Sequence, residues 1–574
     1  MSRTSALVLT TFLIIAIGMA CPDVRHLASV IPGDSGDALL NLWILRAAQA
    51  GILHGWHGLW NAPAFAPATH TLLYSDAMLP IALVHWPLRL VFGDALAFNV
   101  IYLGSWVLCS WCTYRLAARF TQSRGAAFVA ALVFTYSSIR LVHHQHFQVV
   151  VGGALVPLLL LALLQCLEAP SIRRGLLVGL AFAAVTLSST YYGAMSAIIV
   201  LVVVGGWLIA ERPRRLRPFV ESLGAAALVV AVLVAPVAAQ YVALQRQPEF
   251  RRTFDPDAAA HVDDFLSTGP ANYLLTSVPL IAQRSAPASR GIENRLFPGL
   301  IALLCGLIGT VILVTRRRRT DLVLIAIAGA ITLVLAFGDR VAIGHAGFAL
   351  PFAALRRFAP GFAGIRATAR FALGAELALA VLAAVGFDAL VRGRSTSTRI
   401  ALTVVAAALV VAESAMGLAA VRVPTAADAG GVTEALRGNP GGVVLELPIA
   451  SSARGLVWPY VESPRQFAAV YDGHPRANGY SGFEPQGFAE RAAILNRFPA
   501  PDALDEARRL GIRFLVLRTA LVGTLSPAVL TPTLDADGAG RYAVDTAQRL
   551  LADLPAGNAI RVERLPGAYL VELR

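Results

Sequence analysis

The side chains able to do chemistry are few and unevenly placed. The stretch "IPGDSGDALLNLWILRAAQ" carries Asp34 and Asp37, and "LLYSDAMLP" carries Asp76. A carboxylate held at a membrane surface can take the proton from an incoming hydroxyl or amide. Two close carboxylates can instead hold a divalent cation, normally joined by a His or a further acid. The same residues at the start of a helix are ordinary caps that favour the positive end of its dipole, so both readings stand for all three. "RLVHHQHFQ" gathers Arg140, His143, His144, His146 and Gln148 into one short turn. Neutral imidazole ligates metals and protonated imidazole pairs with phosphate. The spacing matches no zinc signature, which leaves contact with a phosphate or sugar, or a plain polar turn. "LSSTYYGAMS" offers Tyr191 and Tyr192 as ligand contacts or as membrane anchors. Glu293, in "GIENRLFPG", is a second acid or a cap. "FAGIRATARFALG" places Arg366 and Arg370 four residues apart, a spacing that on a helix puts both guanidiniums on one face, suited to gripping a phosphate.

The elements that must position these groups belong to a membrane protein. Of 574 residues, 56% are hydrophobic and 14% charged, with mean hydropathy +0.64; a soluble domain is about a quarter charged. Apolar stretches long enough to cross about 30 Å of hydrocarbon recur through the first 420 residues. We expect about eleven transmembrane helices, near 5–21, 97–118, 124–140, 149–167, 174–189, 191–210, 219–242, 296–315, 321–338, 371–391 and 398–420. Arginines fix the orientation. Arg3, Arg115, Arg119, Arg124, Arg173, Arg174, Arg212, Arg214, Arg215, Arg217, Arg316 to Arg319, Arg392, Arg394 and Arg399 fall on alternate connections, which the positive-inside rule places in the cytoplasm. Keeping that register demotes residues 76–93, whose Asp76, Pro80, His85, Pro87 and Arg89 suit a juxtamembrane or re-entrant helix. The N-terminus is then cytoplasmic, and residues 22–96 form a long first outer loop.

From residue 421 the character changes. "GGVVLELPI", "IRFLVLR" and "GAYLVELR" read as strands and 486–496 and 502–511 as helices, giving a small α/β domain over 421–574 outside the cytoplasm. Arginines and acids balance there, so the chain's net charge of +13 belongs to the membrane part, residues 1–420. Nucleic acid is excluded as a partner, because basic residues punctuate apolar spans and form no patch. Cys109, Cys112, Cys166 and Cys305 lie in apolar segments and read as buried thiols. Glu376, Asp388 and Glu413, in or near the last two spans, are suspects as intramembrane acids.

The stretches "GDALLNLWIL", "LLYSDAMLP", "RLVHHQHFQ", "LSSTYYG", "ENRLFPGL", "PGFAGIRATARF", "LELP" and "NGYSGFEP" together resemble the GT-C superfamily of polyprenyl-phosphate-sugar-dependent membrane glycosyltransferases. Within it the chain is similar to bacterial mannosyltransferase-like and YfhO-like multi-pass proteins. The resemblance implies a GT-C-like polytopic helical fold, location in the inner (plasma) membrane, a polyprenyl-phosphate-linked sugar donor held among membrane lipid, and an envelope glycan, lipid or protein as acceptor. It implies that Asp37, with Asp34 second, is the catalytic acid of the first outer loop, and that Asp76 corresponds to a frequent second acid. The oligosaccharyltransferase motif WWDYG does not occur in the tail. The implied reaction is an inverting displacement: Asp37 deprotonates an acceptor hydroxyl, while Arg366, Arg370 and His146 stabilise the departing phosphate. The sugar, the acceptor and any divalent cation stay open. So do two other functions, a transporter or flippase of a lipid-linked saccharide and a non-catalytic envelope scaffold whose "NGYSGFEP" loop binds a partner.

Overall fold

A computed structural model describes the chain except residues 1–2, 57, 213–215, 248–249, 251–254, 286–290, 316–318, 344–345, 455–456 and 524–539. Arg214, Arg215 and Arg316 to Arg318 therefore lie outside the described residues. The chain divides into two compact units, one of Met1–Val24 with Val100–Leu418, the other of Arg25–Asn99 with Ala419–Arg574. Residues 25–99, expected to belong to the membrane part, group with the tail.

The first unit is helical because its sequence is continuously apolar. Seven helices among the described residues are long and apolar enough to cross a membrane: Arg3–Ala20, Leu79–Ala117, Phe147–Glu168, Thr190–Glu211, Leu216–Leu233, Thr368–Val391 and Thr396–Ser414. Three shorter apolar ones are Arg124–Thr135, Leu300–Thr315 and Thr320–Ala336. Ile209 is 76% exposed on such a helix; a water-facing surface of this kind would be costly, a lipid-facing one is not. Glycines let neighbouring helices touch. A Cβ on Gly309 would overlap the carbonyl of Leu382, and one on Gly386 that of Cys305, so Leu300–Thr315 and Ala372–Val391 pack backbone to backbone. The expected span 219–242 is divided between Leu216–Leu233 and Ala235–Gln245, since Pro236 near the start of the second helix has no N–H to continue the ladder. The expected span 124–140 likewise ends at Thr135 and resumes as the short turn Ser138–Leu141.

Residues 79–117 form one helix broken at Gly93, whose φ of 77° is open to glycine and strained for other residues. The part before the break is about 20 Å long at 1.5 Å per residue, short of the ~30 Å hydrocarbon core. Its polar groups are tied within the second unit. Gln49 Nε2 lies 3.0 Å from His85 Nδ1, Arg89 Nε donates to Gln49 Oε1 at 3.1 Å, and Arg46 pairs with Asp94 at 2.6 Å.

The second unit is α/β. Its four-stranded sheet runs Val443–Leu447, Ile512–Arg518, Ala568–Leu573, Ala559–Leu565, with the first pair parallel and the others antiparallel. A parallel pair needs a long crossover, supplied by the helices Val457–Ala468, Phe488–Leu495 and Pro501–Arg509. Val432, Leu436, Val444, Phe514, Val516, Ala568 and Leu570 fill the core. Val30–Pro32 pairs antiparallel with Ala420–Arg422, which stitches the first loop to the start of the tail.

Candidate functional site

Asp37 opens the helix Asp37–Leu53, and Asp34 sits one turn earlier in "GDSGD". Both are half-buried, but their hydrogen bonds differ. Asp34 Oδ1 accepts from the backbone N–H of Gly36 at 3.0 Å and of Asp37 at 3.2 Å, and Asp34 Oδ2 accepts from the Tyr460 hydroxyl at 3.2 Å. It folds the turn that starts the helix. Asp37 Oδ1 accepts from the Tyr480 hydroxyl at 2.8 Å. The backbone donors tie the Asp34 carboxylate into its turn, whereas the Asp37 carboxylate is met by a phenol from the C-terminal part of the chain. Gly36 between them is tightly packed, since a Cβ would lie 3.0 Å from Pro459 Cβ.

Neither tyrosine was among the candidate residues read from the sequence, although Tyr480 lies in the "NGYSGFEP" loop singled out there. Burial and the negative charges of Asp37 and Asp34 push the Tyr480 phenol well above its ordinary pKa, so it remains a donor at neutral pH. The same loop reaches Ser75, the residue before the third candidate acid. Ser481 Oγ lies 3.0 Å from Ser75 Oγ, and the Gly482 N–H donates to Ser75 Oγ at 3.0 Å, beside half-buried Asp76. The stretch Tyr480–Gly482 therefore touches both acid-bearing segments of the first loop.

In the helical unit a second polar chain forms. His143 Nδ1 and His146 Nδ1 are 2.8 Å apart, and His143 Nε2 lies 3.4 Å from Glu293 Oε2. Glu293 in turn receives two hydrogen bonds from Arg370, Nε to Oε2 at 2.9 Å and Nη2 to Oε1 at 2.5 Å. Arg370 lies over the Tyr191 ring at 4.7 Å, and the Tyr191 hydroxyl accepts from the Arg366 N–H at 3.1 Å. Burial raises the Glu293 carboxyl, but Arg370 and His143 together hold it well below the usual range. Burial lowers His143 to about 4 against the opposing pull of Glu293. At neutral pH the chain is thus a neutral imidazole beside a balanced carboxylate–guanidinium pair.

This corrects the expected helical pair of arginines. Arg366 lies in non-helical chain and Arg370 in the 3-10 turn Thr368–Phe371, so they share no helix face. Arg370 is buried against Glu293, whereas Arg366 is exposed. Glu293 is a counter-ion and not a cap. Tyr192 is fully buried, packed against Gly152 and Gly153. Gln148, on the first turn of Phe147–Glu168, has its Oε1 buried without a hydrogen-bond partner. Of the late acids, Asp388 accepts from Ser123 N–H at 3.0 Å and pairs with Arg392 at 2.7 Å, and Glu413 accepts from Leu300 N–H at 2.8 Å. Both are structural caps or pairs, while the Glu376 oxygens are buried without a hydrogen bond. Among the described residues no three His, Cys, Asp or Glu side chains gather as a metal-ligand set. Two carboxylates and two phenols make a poor cation site.

A first helix, an acid-bearing loop and a following set of apolar helices define a class. The chain superposes on the arabinofuranosyltransferase AftD from mycobacteria with a TM-score of 0.60 and 15% identity, covering 100% of this chain and 40% of AftD. It superposes on the oligosaccharyltransferase of Archaeoglobus fulgidus with a TM-score of 0.52 and 13% identity, covering 89% of this chain and 69% of that one. Both are GT-C glycosyltransferases, and the protein has the GT-C fold; the resemblance read from the sequence is borne out at that level. It spans less than half the length of AftD. By sequence the chain belongs to the family of the domain of unknown function DUF6311, which matches residues 6–415. No curated protein matched the sequence.

Proposed function

We propose that this protein is a membrane glycosyltransferase, transferring a sugar from a polyprenyl-phosphate donor to an envelope glycan, lipid or protein on the outer side of a bacterial inner membrane. One observation carries the reading: in a GT-C fold, the loop after the first helix presents Asp37, a half-buried carboxylate at a helix start whose Oδ1 is held by a phenol hydroxyl at 2.8 Å. The outward orientation of that loop rests on the arginine-rich connections being cytoplasmic.

In the proposed reaction Asp37 takes the proton of an acceptor hydroxyl as its oxygen bonds to the anomeric carbon. The bond from that carbon to the phosphate oxygen breaks, and the electron pair leaves with the polyprenyl phosphate. A single displacement inverts the anomeric centre. Asp34, which accepts from the backbone N–H of Gly36 and Asp37, braces the turn. In the helical unit, the phosphate-binding role falls on exposed Arg366 with His146, because Glu293 already neutralises Arg370. Tyr191 orders the Arg366 backbone through its hydroxyl.

The test is Asp37→Asn in the purified full chain, reconstituted in nanodiscs and given a panel of synthetic undecaprenyl-phosphate sugars with envelope extract as acceptor. Released undecaprenyl phosphate is quantified by mass spectrometry. A general base contributes about 10²–10⁴-fold, so turnover should fall by at least 100-fold at an unchanged melting temperature. Full turnover in the variant would remove Asp37 from the mechanism.

A further inference from the structure

We propose that Tyr480, in the C-terminal part of the chain, is a positioning residue for the Asp37 carboxylate, and that Tyr460 plays a different part by locking Asp34 as the brace of the same turn. The inference rests on the reading of Asp37 as the base. It adds that the tail is part of the catalytic machinery, acting through one phenol.

The argument begins with how firmly that phenol is held. The Tyr480 backbone N–H donates to Gln466 Oε1 at 2.8 Å, and its ring stands edge-on to Trp458 at 4.9 Å and 87°. Trp458 Nε1 donates to the Gly479 carbonyl at 2.8 Å. Gly479 admits no side chain, since a Cβ there would lie 2.8 Å from the Phe65 ring. Asn478 then closes a two-way bridge with the strand beneath: the Glu446 N–H donates to its Oδ1 at 2.7 Å, and its Nδ2 donates to the Glu446 carbonyl at 2.8 Å. The first loop clamps the same stretch from its other side, with the Phe65 N–H donating to the Asn478 carbonyl at 2.9 Å and the Ala66 N–H to the Arg476 carbonyl at 2.8 Å.

Each of these contacts removes freedom from Tyr480 before its hydroxyl meets Asp37. The carboxylate is equally constrained at its root, because Asp37 is the first residue of a helix whose turn Asp34 has fixed. A carboxylate rotates about its last side-chain bond, and that torsion is broad in the absence of a partner. A rigid donor on Oδ1 fixes the carboxyl plane, and angular precision of this kind is what a base in a near-attack geometry requires. Tyr460 meets Asp34 at 3.2 Å, where Oδ1 is already occupied by two backbone amides, so its hydroxyl completes a structural turn and leaves the proton acceptor alone.

The two tyrosines can be told apart in the nanodisc assay with the undecaprenyl-phosphate sugar panel. Tyr480→Phe removes one oxygen and keeps the ring against Trp458. It should lower kcat about tenfold with KM within about twofold, since a hydrogen bond to a charged group is worth roughly one power of ten. Loss of a donor to the charged form should also move the acidic limb of the kcat/KM profile upward by about one pH unit. In an Asp37→Asn background the same change should lower the residual turnover no further, because the effect runs through Asp37. Tyr460→Phe should lower the melting temperature by a few degrees and leave the pH limb in place. The positioning role is overturned if Tyr480→Phe leaves kcat and the pH limb unchanged, or slows the Asp37→Asn enzyme a further tenfold. If Asp37→Asn itself is fully active, the base assignment fails instead, and the two failures are distinct. Should Tyr480→Phe not fold, Gln466→Ala, which releases the Tyr480 backbone and leaves its hydroxyl, supplies the kcat readout, again with no further loss expected in an Asp37→Asn background.

Discussion

Glu446→Gln is the sharpest test of what holds the Tyr480 loop in place. Glu446 is fully buried and meets three guanidiniums: Arg518 Nε at 2.6 Å, Arg476 Nε at 3.1 Å and Arg465 Nε at 3.9 Å. Burial alone would raise its carboxyl, yet the three arginines hold it down at about 2. Glutamine has the same shape but one acceptor oxygen. It can satisfy Arg476 or Arg518, and its NH₂ then points at the other, leaving buried positive charge unmatched. Removing one partner of a buried ion pair costs about 3–5 kcal/mol, and the multiple contacts put this case at the upper end. For a unit of this size each kcal/mol lowers the melting temperature by about 2–4 °C, so a drop of roughly 10–15 °C is expected. The measurement is a thermal melt of the full chain in detergent at pH 7.5, followed by tryptophan fluorescence. The acid dependence supplies a second check. A carboxyl whose folded pKa lies below its unfolded value stabilises fully above the unfolded value, and that stability is lost as pH falls through the folded one. The gap between wild type and variant should therefore be constant above about pH 5 and shrink between about 4.5 and 2. A shift under about 2 °C at neutral pH, or a gap indifferent to acid, would falsify the assignment of Glu446 as the anchor.

Glu462 predicts the opposite pH behaviour. Burial raises its carboxyl to about 7 despite Arg465 nearby, so the folded state holds a proton the unfolded state has released, and stability falls as pH rises from about 4.5 to 7. Glu462→Gln should match wild type near pH 5 and melt higher at pH 8; equal melting temperatures at both would refute the cause. In the helical unit, Glu293→Gln and Arg370→Gln should each lower the melting temperature by several degrees, while the double variant loses less than their sum. The cycle measures a coupling of about 1–3 kcal/mol, and strict additivity would show that the bidentate pair contributes nothing.

Much of the helical unit was legible because lipid imposes a local rule. A run such as 149–167 must satisfy its own backbone hydrogen bonds, and the helix observed is Phe147–Glu168. Hydropathy is blind to interruptions that leave the segment apolar, which is why the break between Leu233 and Ala235 was missed with Pro236 in plain view. The arginines failed for a related reason. The spacing of Arg366 and Arg370 suits a helix, but the regular helix starts only at Ala372. The tighter 3-10 turn before it turns Arg370 toward Glu293, which is remote in sequence.

The carboxylates show a deeper limit. Asp34 and Asp37 carry the same chemistry three residues apart, and capping and catalysis predict the same residue type at the same place. Partners remote in sequence tell them apart: Asp34 accepts from backbone amides and Tyr460, and Asp37 accepts from Tyr480. Both phenols lie more than 400 positions further along the chain, and no local period links them to the first loop. The tail offered the signal in "NGYSGFEP", a polar, aromatic loop beyond the helix Val457–Ala468, where a partner-binding loop and an internal clamp look alike. What distinguishes them is the charge beneath. Asn478 is bound to Glu446 and Glu462, and those acids are held by buried arginines whose desolvation a freely moving surface loop would have no reason to bear. A loop anchored to a buried ion network resists moving to fit a partner, which suits it to holding a side chain still.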